Sequence, residues 1–301
     1  MPSTMLQLMV RATSELGITV PNSVAGNTNT DIVQLLALMN AAGGKLLSEY
    51  DWRKCVQPYS FLTEFKTTTG TFSPTSLQIT GIPSTAGLDT TYLVTGAAWP
   101  TGTFITSVDS LTQVTVSNYP AVADWNEPIY FQKVKYDLPS DYKNSISDTQ
   151  WDKSKHWKML GPETAQQWEW VMNGFISTGP RVRWRLLGQY FQIWPGFSNA
   201  ESLGFEYKSN AFARDQSGNA KPYFSADADQ CIFSDDLIVL GTKLKYLESK
   251  GLDTTAVYRD YMRQLGIEKA DDSSASVLSL APVDSSILIG WENIPDSGYG
   301  R

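Results

Sequence analysis

The chain has 301 residues and a net charge of −7, from 24 Lys and Arg against 31 Asp and Glu, with a charged fraction of 18% and ten Trp, fourteen Tyr and twelve Phe. That balance argues against broad coating of nucleic acid, which rests on Lys and Arg neutralising phosphates, and it does not exclude a channel wall that DNA slides past. No run approaches the ~18 to 20 consecutive apolar residues of a membrane span.

A chain of this length forms one large domain or two smaller ones. Its low charge and high aromatic content fit extra surface buried against partners, or equally a Trp-rich core. Cys55 and Cys231 lie far apart, and with a single His they cannot build a closed zinc site without carboxylates. They read as two buried free thiols.

Met5, Leu6, Met9, Ala12, Thr13 and Leu16 recur at helical spacing before Gly17. Met1 to Gly17 has no basic start or long apolar run, so the expectation is a short helix and no Sec-type export. After a Pro/Asn/Gly/Thr loop over 21–30, Asp31 and Gln34 resemble a capping box. Ile32, Leu35, Leu36, Met39, Leu46, Leu47 and Tyr50 then form one stripe of a helix over 31–50. Gly43-Gly44 marks a contact or kink in that helix.

Tyr59 to Lys66 predicts a strand. Residues 67–128 are rich in Thr, Ser, Gly, Val and Pro, with short β-type runs at 77–79, 92–94, 104–106 and 114–116 punctuated by Gly81, Gly87, Gly96 and Gly102. This is a small antiparallel β-domain inserted at a hairpin tip, with strands 59–66 and 129–136 flanking it and able to pair. Next, Gly161-Pro162 opens a helix over 163–173, with Pro in its first turn. Arg181 to Leu187, Gly188-Gln189 and Tyr190 to Trp194 read as a hairpin, and Leu203 to Ser209 as its third strand. Ser234-Asp235-Asp236 begins a helix with Leu237, Leu240, Leu244 and Leu247 on its face, ended by Gly251. Asp253 starts another, with Val257, Tyr258, Tyr261, Met262 and Leu265 inward, making an αα-hairpin. Residues 271–301 turn to Ser, Asp, Pro and Gly, interrupted by Val277, Leu278 and Leu280 and by Ile287, Leu288 and Ile289. Such a tail is too polar for its own core, and its two apolar patches predict ordering on a partner surface, as by strand addition.

Catalytic chemistry has little to stand on. A nucleophilic triad would have to use His156, whose Trp and Lys neighbours favour a surface or packing role. No glycine run is followed by the Lys-Ser or Lys-Thr of a phosphate loop. Asp235-Asp236 reads as a helix start and Asp271-Asp272 as solvated tail. The Trp residues read as core or interface anchors in preference to sugar platforms. Arg181, Arg183 and Arg185 lie on one strand face, which either meets DNA or an acidic neighbour or is simply solvated. No cofactor is expected.

The order of segments resembles the head-to-tail adaptor, or tail accessory factor, family of short-tailed bacteriophages. The stretches that carry it are Asp31-Ile32-Val33-Gln34-Leu35-Leu36-Ala37-Leu38 running to Tyr50-Asp51-Trp52, then Tyr136-Asp137-Leu138-Pro139-Ser140-Asp141 and Thr149-Gln150-Trp151-Asp152. Gly161-Pro162 to Gln167-Trp168, Gly179-Pro180-Arg181 to Pro195, Phe205-Glu206-Tyr207-Lys208-Ser209 and Glu248-Ser249-Lys250-Gly251-Leu252-Asp253 complete the set. The resemblance spans the chain except the β-insert and the far tail. It implies an α+β fold: a core over 1–66 and 129–270, with N- and C-terminal helices and antiparallel hairpins, an insert at 67–128 and an extended arm at 271–301. It further implies a non-enzymatic homo-oligomeric ring of twelve in the virion, below the portal protein. The helices over 31–50 and 237–265 would be the ring core, and the ring would line the channel for viral DNA. The arm would dock on the portal, and the lower face would carry tail nozzle, fibre or spike proteins. The rival expectations are a tail-associated peptidoglycan hydrolase and a carbohydrate-binding tail module centred on the insert.

Overall fold

A computed structural model describes residues 3–123, 128–173 and 181–273. The fold is α+β, with three hydrophobic cores: one helical, one in the middle β-region and one in the sheet built around residues 67–128.

In chain order, helices α1 (Met5–Leu16) and α2 (Thr30–Glu49) precede strands β1 (Val56–Leu62), β2 (Phe65–Thr68), β3 (Gln78–Ile79), β4 (Tyr92–Thr95), β5 (Thr103–Ser110), β6 (Gln113–Val116) and β7 (Ile129–Lys133). Then come β8 (Lys135–Asp137), β9 (Tyr142–Ser145), β10 (Trp151–Asp152), β11 (Trp157–Lys158), helix α3 (Ala165–Asn173), β12 (Arg183–Leu187), β13 (Tyr190–Trp194) and β14 (Ser202–Ser209). The short strands β15 (Ala213–Arg214), β16 (Ala220–Lys221) and β17 (Gln230–Cys231) lead to α4 (Asp235–Lys250) and α5 (Thr255–Ser273).

The helical core joins both ends of the chain, with α4 packed against α1, α2 and α5. Such surroundings bury more than one stripe. Ile238, Val239, Gly241 and Thr242 are buried along with Leu237 and Leu244, a wider face than the expected leucine row. α1 starts at a reciprocal cap: Thr4 Oγ1 accepts from Gln7 N at 3.3 Å and Gln7 Oε1 accepts from Thr4 N at 2.9 Å. Gly17, at φ 67°, ends it.

The expected Asp31/Gln34 cap of α2 is corrected. Asn27 Oδ1 accepts from Asn29 N at 2.8 Å, and Asn29 Oδ1 accepts from Asp31 N at 3.0 Å. That ladder sets the extended backbone that an N-cap needs, and Gln34 reaches Ser249 instead. α3 also starts differently. Thr164 and Gln167 form the capping box, and Pro162 lies outside the helix.

Neither flanking strand is continuous. The expected strand over 59–66 breaks at Thr63-Glu64, where the chain passes between sheets. Thr63 Oγ1 donates to Asn199 O at 2.9 Å and accepts from Glu201 N at 2.8 Å, while Glu64 N donates to the Tyr136 hydroxyl at 3.0 Å. β1 pairs with β14, and only Phe65–Thr68 pairs with β7, Phe65 opposite Gln132. One six-stranded sheet, ordered β2-β7-β4-β5-β6-β3, therefore takes in the strands on both sides of residues 67–128.

The β12–β13 hairpin forms with Leu187 opposite Tyr190. Its third strand is β8, not residues 203–209. β14 lies at the centre of another sheet, paired with β1, β9 and β10. Period-2 alternation gives a strand its faces but not its partner. The two sheets meet through rings: Phe191 stacks on Trp184 within the hairpin sheet, centroids 5.3 Å apart, and on Phe205 of β14 at 4.9 Å.

α5 departs most from expectation. Tyr261 and Leu265 are buried, but Tyr258 and Met262, expected inward, are exposed. The helix also runs past 270. Asp272, expected in solvated tail, accepts from Arg53 N at 2.6 Å and Lys54 N at 3.1 Å, and the nearly buried Glu268 holds Lys54 Nζ at 2.5 Å.

Candidate functional site

The three hairpin arginines do not make one open basic face. Arg181 is exposed and precedes β12. Arg183 Nη1 lies 2.5 Å from Oε1 of Glu163, a side chain only 8% exposed. The Arg185 guanidinium sits 4.5 Å from the centroid of the Trp168 ring, and its Nε donates to Gln192 Oε1 at 2.7 Å. Burial pulls its pKa down, partly offset by Glu169. Arg183 and Arg185 thus tie α3 and the loop before it to the hairpin. Val277, Leu278, Leu280, Ile287, Leu288 and Ile289 lie outside the described residues.

Exposed apolar side chains follow α5. Only Tyr261, Leu265 and Glu268 of its nineteen residues are buried. Leu252, in the turn before it, is 56% exposed, Tyr258 51%, Met262 43% and Ile267 45%. Arg259 and Asp260 add charges of both signs, each largely exposed. A shallow depression between α1, α4 and α5 is lined by Arg11, Glu15, Asp260, Arg263 and Ile267. Scattered exposed apolar side chains are ordinary. Tyr258 and Met262, one turn apart, share a face of α5, whereas Ile267 lies about half a turn round the helix in the depression beside α1 and α4.

A second feature escaped the sequence reading. A cleft of about 530 Å³ opens over β10 and β14 beside Trp151 and Phe205. Asp148, Asp152, Lys153, His156 and Glu206 also line it. His156 is exposed, in keeping with a surface role. Asp152 is 2% exposed; its Oδ1 accepts from Ser154 N and Lys155 N, both at 3.0 Å, while its buried Oδ2 has no partner. In sequence, the single His beside Trp151 and Trp157 was the visible signal. Glu206 and Phe205 lie too far along the chain to be placed there by spacing.

Both cysteines are buried free thiols. Burial pushes the Cys55 thiol up to about 11 and Cys231 to about 12, which suits packing and opposes nucleophilic use. Among the described residues, no three His, Cys, Asp or Glu side chains gather as a metal site, and no helix is long and apolar enough to cross a membrane. No known family matches this chain, and no curated protein matches it.

Proposed function

We propose that this chain is a structural ring subunit of a short-tailed bacteriophage, joining the portal to the tail and acting without catalysis. The observation that carries the reading is the outward face of α5. A helix of nineteen residues, about 28 Å long, is held by a narrow buried stripe and presents Tyr258 and Met262, one turn apart, outward. A ring closed by rotation needs two different faces on each subunit, one meeting the other on its neighbour. The α5 face of Tyr258 and Met262 is assigned as one of them, buried against the next copy, with Arg259 at its polar rim.

The ring is proposed to have twelve copies, to surround viral DNA as it leaves the head, and to sit in the virion between portal and tail nozzle, fibre or spike proteins. The net charge of −7 suits a wall that does not grip DNA. The apolar patches beyond Ser273 are assigned to the portal on sequence alone. Arg181 is the one hairpin arginine assigned to a partner, because Arg183 and Arg185 are engaged within the chain.

The test is electron microscopy of the purified chain with its cognate portal. Rings at the portal's narrow end are expected, and rings that fail with Tyr258→Glu and Met262→Glu combined. Absence of any portal binding would remove the proposal.

A further inference from the structure

We infer that residues 277–281 of the chain's own C-terminal segment add as a parallel strand to the open edge of β1. Among the described residues, β14 is the one strand paired with β1, which stands at the end of its sheet. β14 shows which β1 groups are free. Its Ser202, Gly204 and Glu206 turn their backbone away from β1: Ser202 O accepts from Lys153 N, Glu206 O accepts from Ile146 N, and Gly204 pairs with Trp151 of β10. The bonds to β1 therefore run through Leu203, Phe205 and Tyr207, opposite Phe61, Tyr59 and Gln57. Pro58, Ser60 and Leu62 point their backbone groups to the other side, where no described residue bonds them. Pro58 suits that side, because it has no N–H to leave unpaired.

α5 delivers the chain to this edge. Asp272 accepts from the backbone N–H groups of Arg53 and Lys54, which lead into β1, and α5 ends at the next residue, Ser273. Leu278 lies six residues after Asp272, as Tyr59 lies six after Arg53. An extended chain spans about 3.3 Å per residue, so a segment running parallel to β1 draws level with Tyr59 directly. An open edge invites pairing, and a tether this short gives the chain's own end a high effective concentration there.

The alternation of the segment fits the groups on offer. Level with Tyr59, Leu278 donates its N–H to Pro58 O and accepts from Ser60 N, and Leu280 likewise donates to Ser60 O and accepts from Leu62 N. Their side chains then share the face of Tyr59 and Phe61. Those two rings pack on the middle β-core yet stay only partly buried, and the two leucines complete their cover. Val277 and Ser279 fall on the outer face with Pro58 and Ser60. A slip of one residue would turn Ser279 to the core, which fixes the register. Pro282 ends the strand. The proposal concerns the chain before it meets a partner and does not rest on the ring reading; Ile287, Leu288 and Ile289 stay assigned to the portal.

The experiment is amide hydrogen exchange on the full chain without portal, read residue by residue by fragmentation mass spectrometry. Leu278→Pro combined with Leu280→Pro removes both added donors. Ser60 and Leu62 should exchange about tenfold or more slowly in the parent than in that variant. Tyr59 and Phe61, bonded to β14, should exchange alike in both, which reports an intact sheet. Leu278→Asp combined with Leu280→Asp should also release the edge, whereas Ser279→Asp, facing solvent, should not. The inference is overturned if Ser60 and Leu62 exchange equally in the parent and the proline variant, or if Ser279→Asp releases the edge as the leucine substitutions do. Protection that rises with protein concentration would also overturn it, by assigning the strand to a neighbouring copy.

Discussion

The ring of Phe212 fills the space that a side chain at Gly43 would need, whereas nothing lies within 4 Å of the corresponding position at Gly44. The two glycines are neighbours in α2, yet only the first is a packing requirement. Gly43→Ala should destabilise the chain by about 1–3 kcal/mol through overpacking. Gly44→Ala should stabilise it by about 0.5–1 kcal/mol, because a helix interior favours Ala over Gly. Urea denaturation midpoints of the two variants should move in opposite directions.

Arg183 and Arg181 separate a structural role from a contact role on the hairpin. Arg183→Ala leaves Glu163 nearly buried without its partner and should cost about 2–4 kcal/mol. Arg181→Ala, at an exposed position, should change stability by less than about 0.5 kcal/mol. Thermal unfolding of both variants measures this. A loss of partner binding with Arg181→Ala at unchanged stability would place its effect at a partner surface.

Acid sensitivity should centre on the loop that receives the N-terminus of α1. Met5 N donates to Asp229 O at 2.7 Å and Leu6 N to Asp227 O at 3.2 Å. Burial alone would raise both carboxylates. For Asp229, Lys221 and the backbone N–H groups of Ser225 and Ala226 outweigh it, and for Asp227, Ser23, Ala25 and Val24 do so. Both pKa values end below the usual carboxylate value. Their stabilisation is therefore present above about pH 4 and is lost as pH falls through the depressed folded values. Asp229→Asn should cost about 2 kcal/mol at pH 7, and the gap from the parent chain should close in acid. A gap that stays constant from pH 7 to the acid limit of folding would contradict this.

The thiols should be silent in the folded chain. With Cys55 raised to about 11 and Cys231 to about 12, both stay protonated and covered at pH 8. Intact mass after iodoacetamide should show no adduct until denaturant is added, then two. The unfolded thiols ionise from about pH 8.5. The stability that their protonated burial contributes is thus full below that pH and falls as pH rises toward the folded values.

What could be read from sequence was local. Gly17, Gly188 and Gly251 end or turn elements within a few residues of the pattern they punctuate, and each stands at positive φ where expected. The apolar stripe of α2 was legible because a helix repeats over its own length. Strand partners were not, because β8 and β14 compete for the hairpin edge over long sequence distances, and only the Phe191–Phe205 stacking shows β14 facing it from another sheet. Tyr258 and Met262 follow the helical period, but the period cannot say how wide a face the neighbouring helix covers. The cleft was hidden for a related reason. Trp151 and Asp152 meet Gly204 and Leu203 only through the pairing of β10 with β14.

The measurement that bears most directly on the account is the mass of the full chain, alone and on its cognate portal, by native mass spectrometry with the α5 variants alongside. Twelve copies on the portal are expected for the parent chain, and loss of that species for Tyr258→Glu combined with Met262→Glu. A parent chain that stays monomeric with the portal present, or α5 variants that assemble as well as the parent, would contradict it.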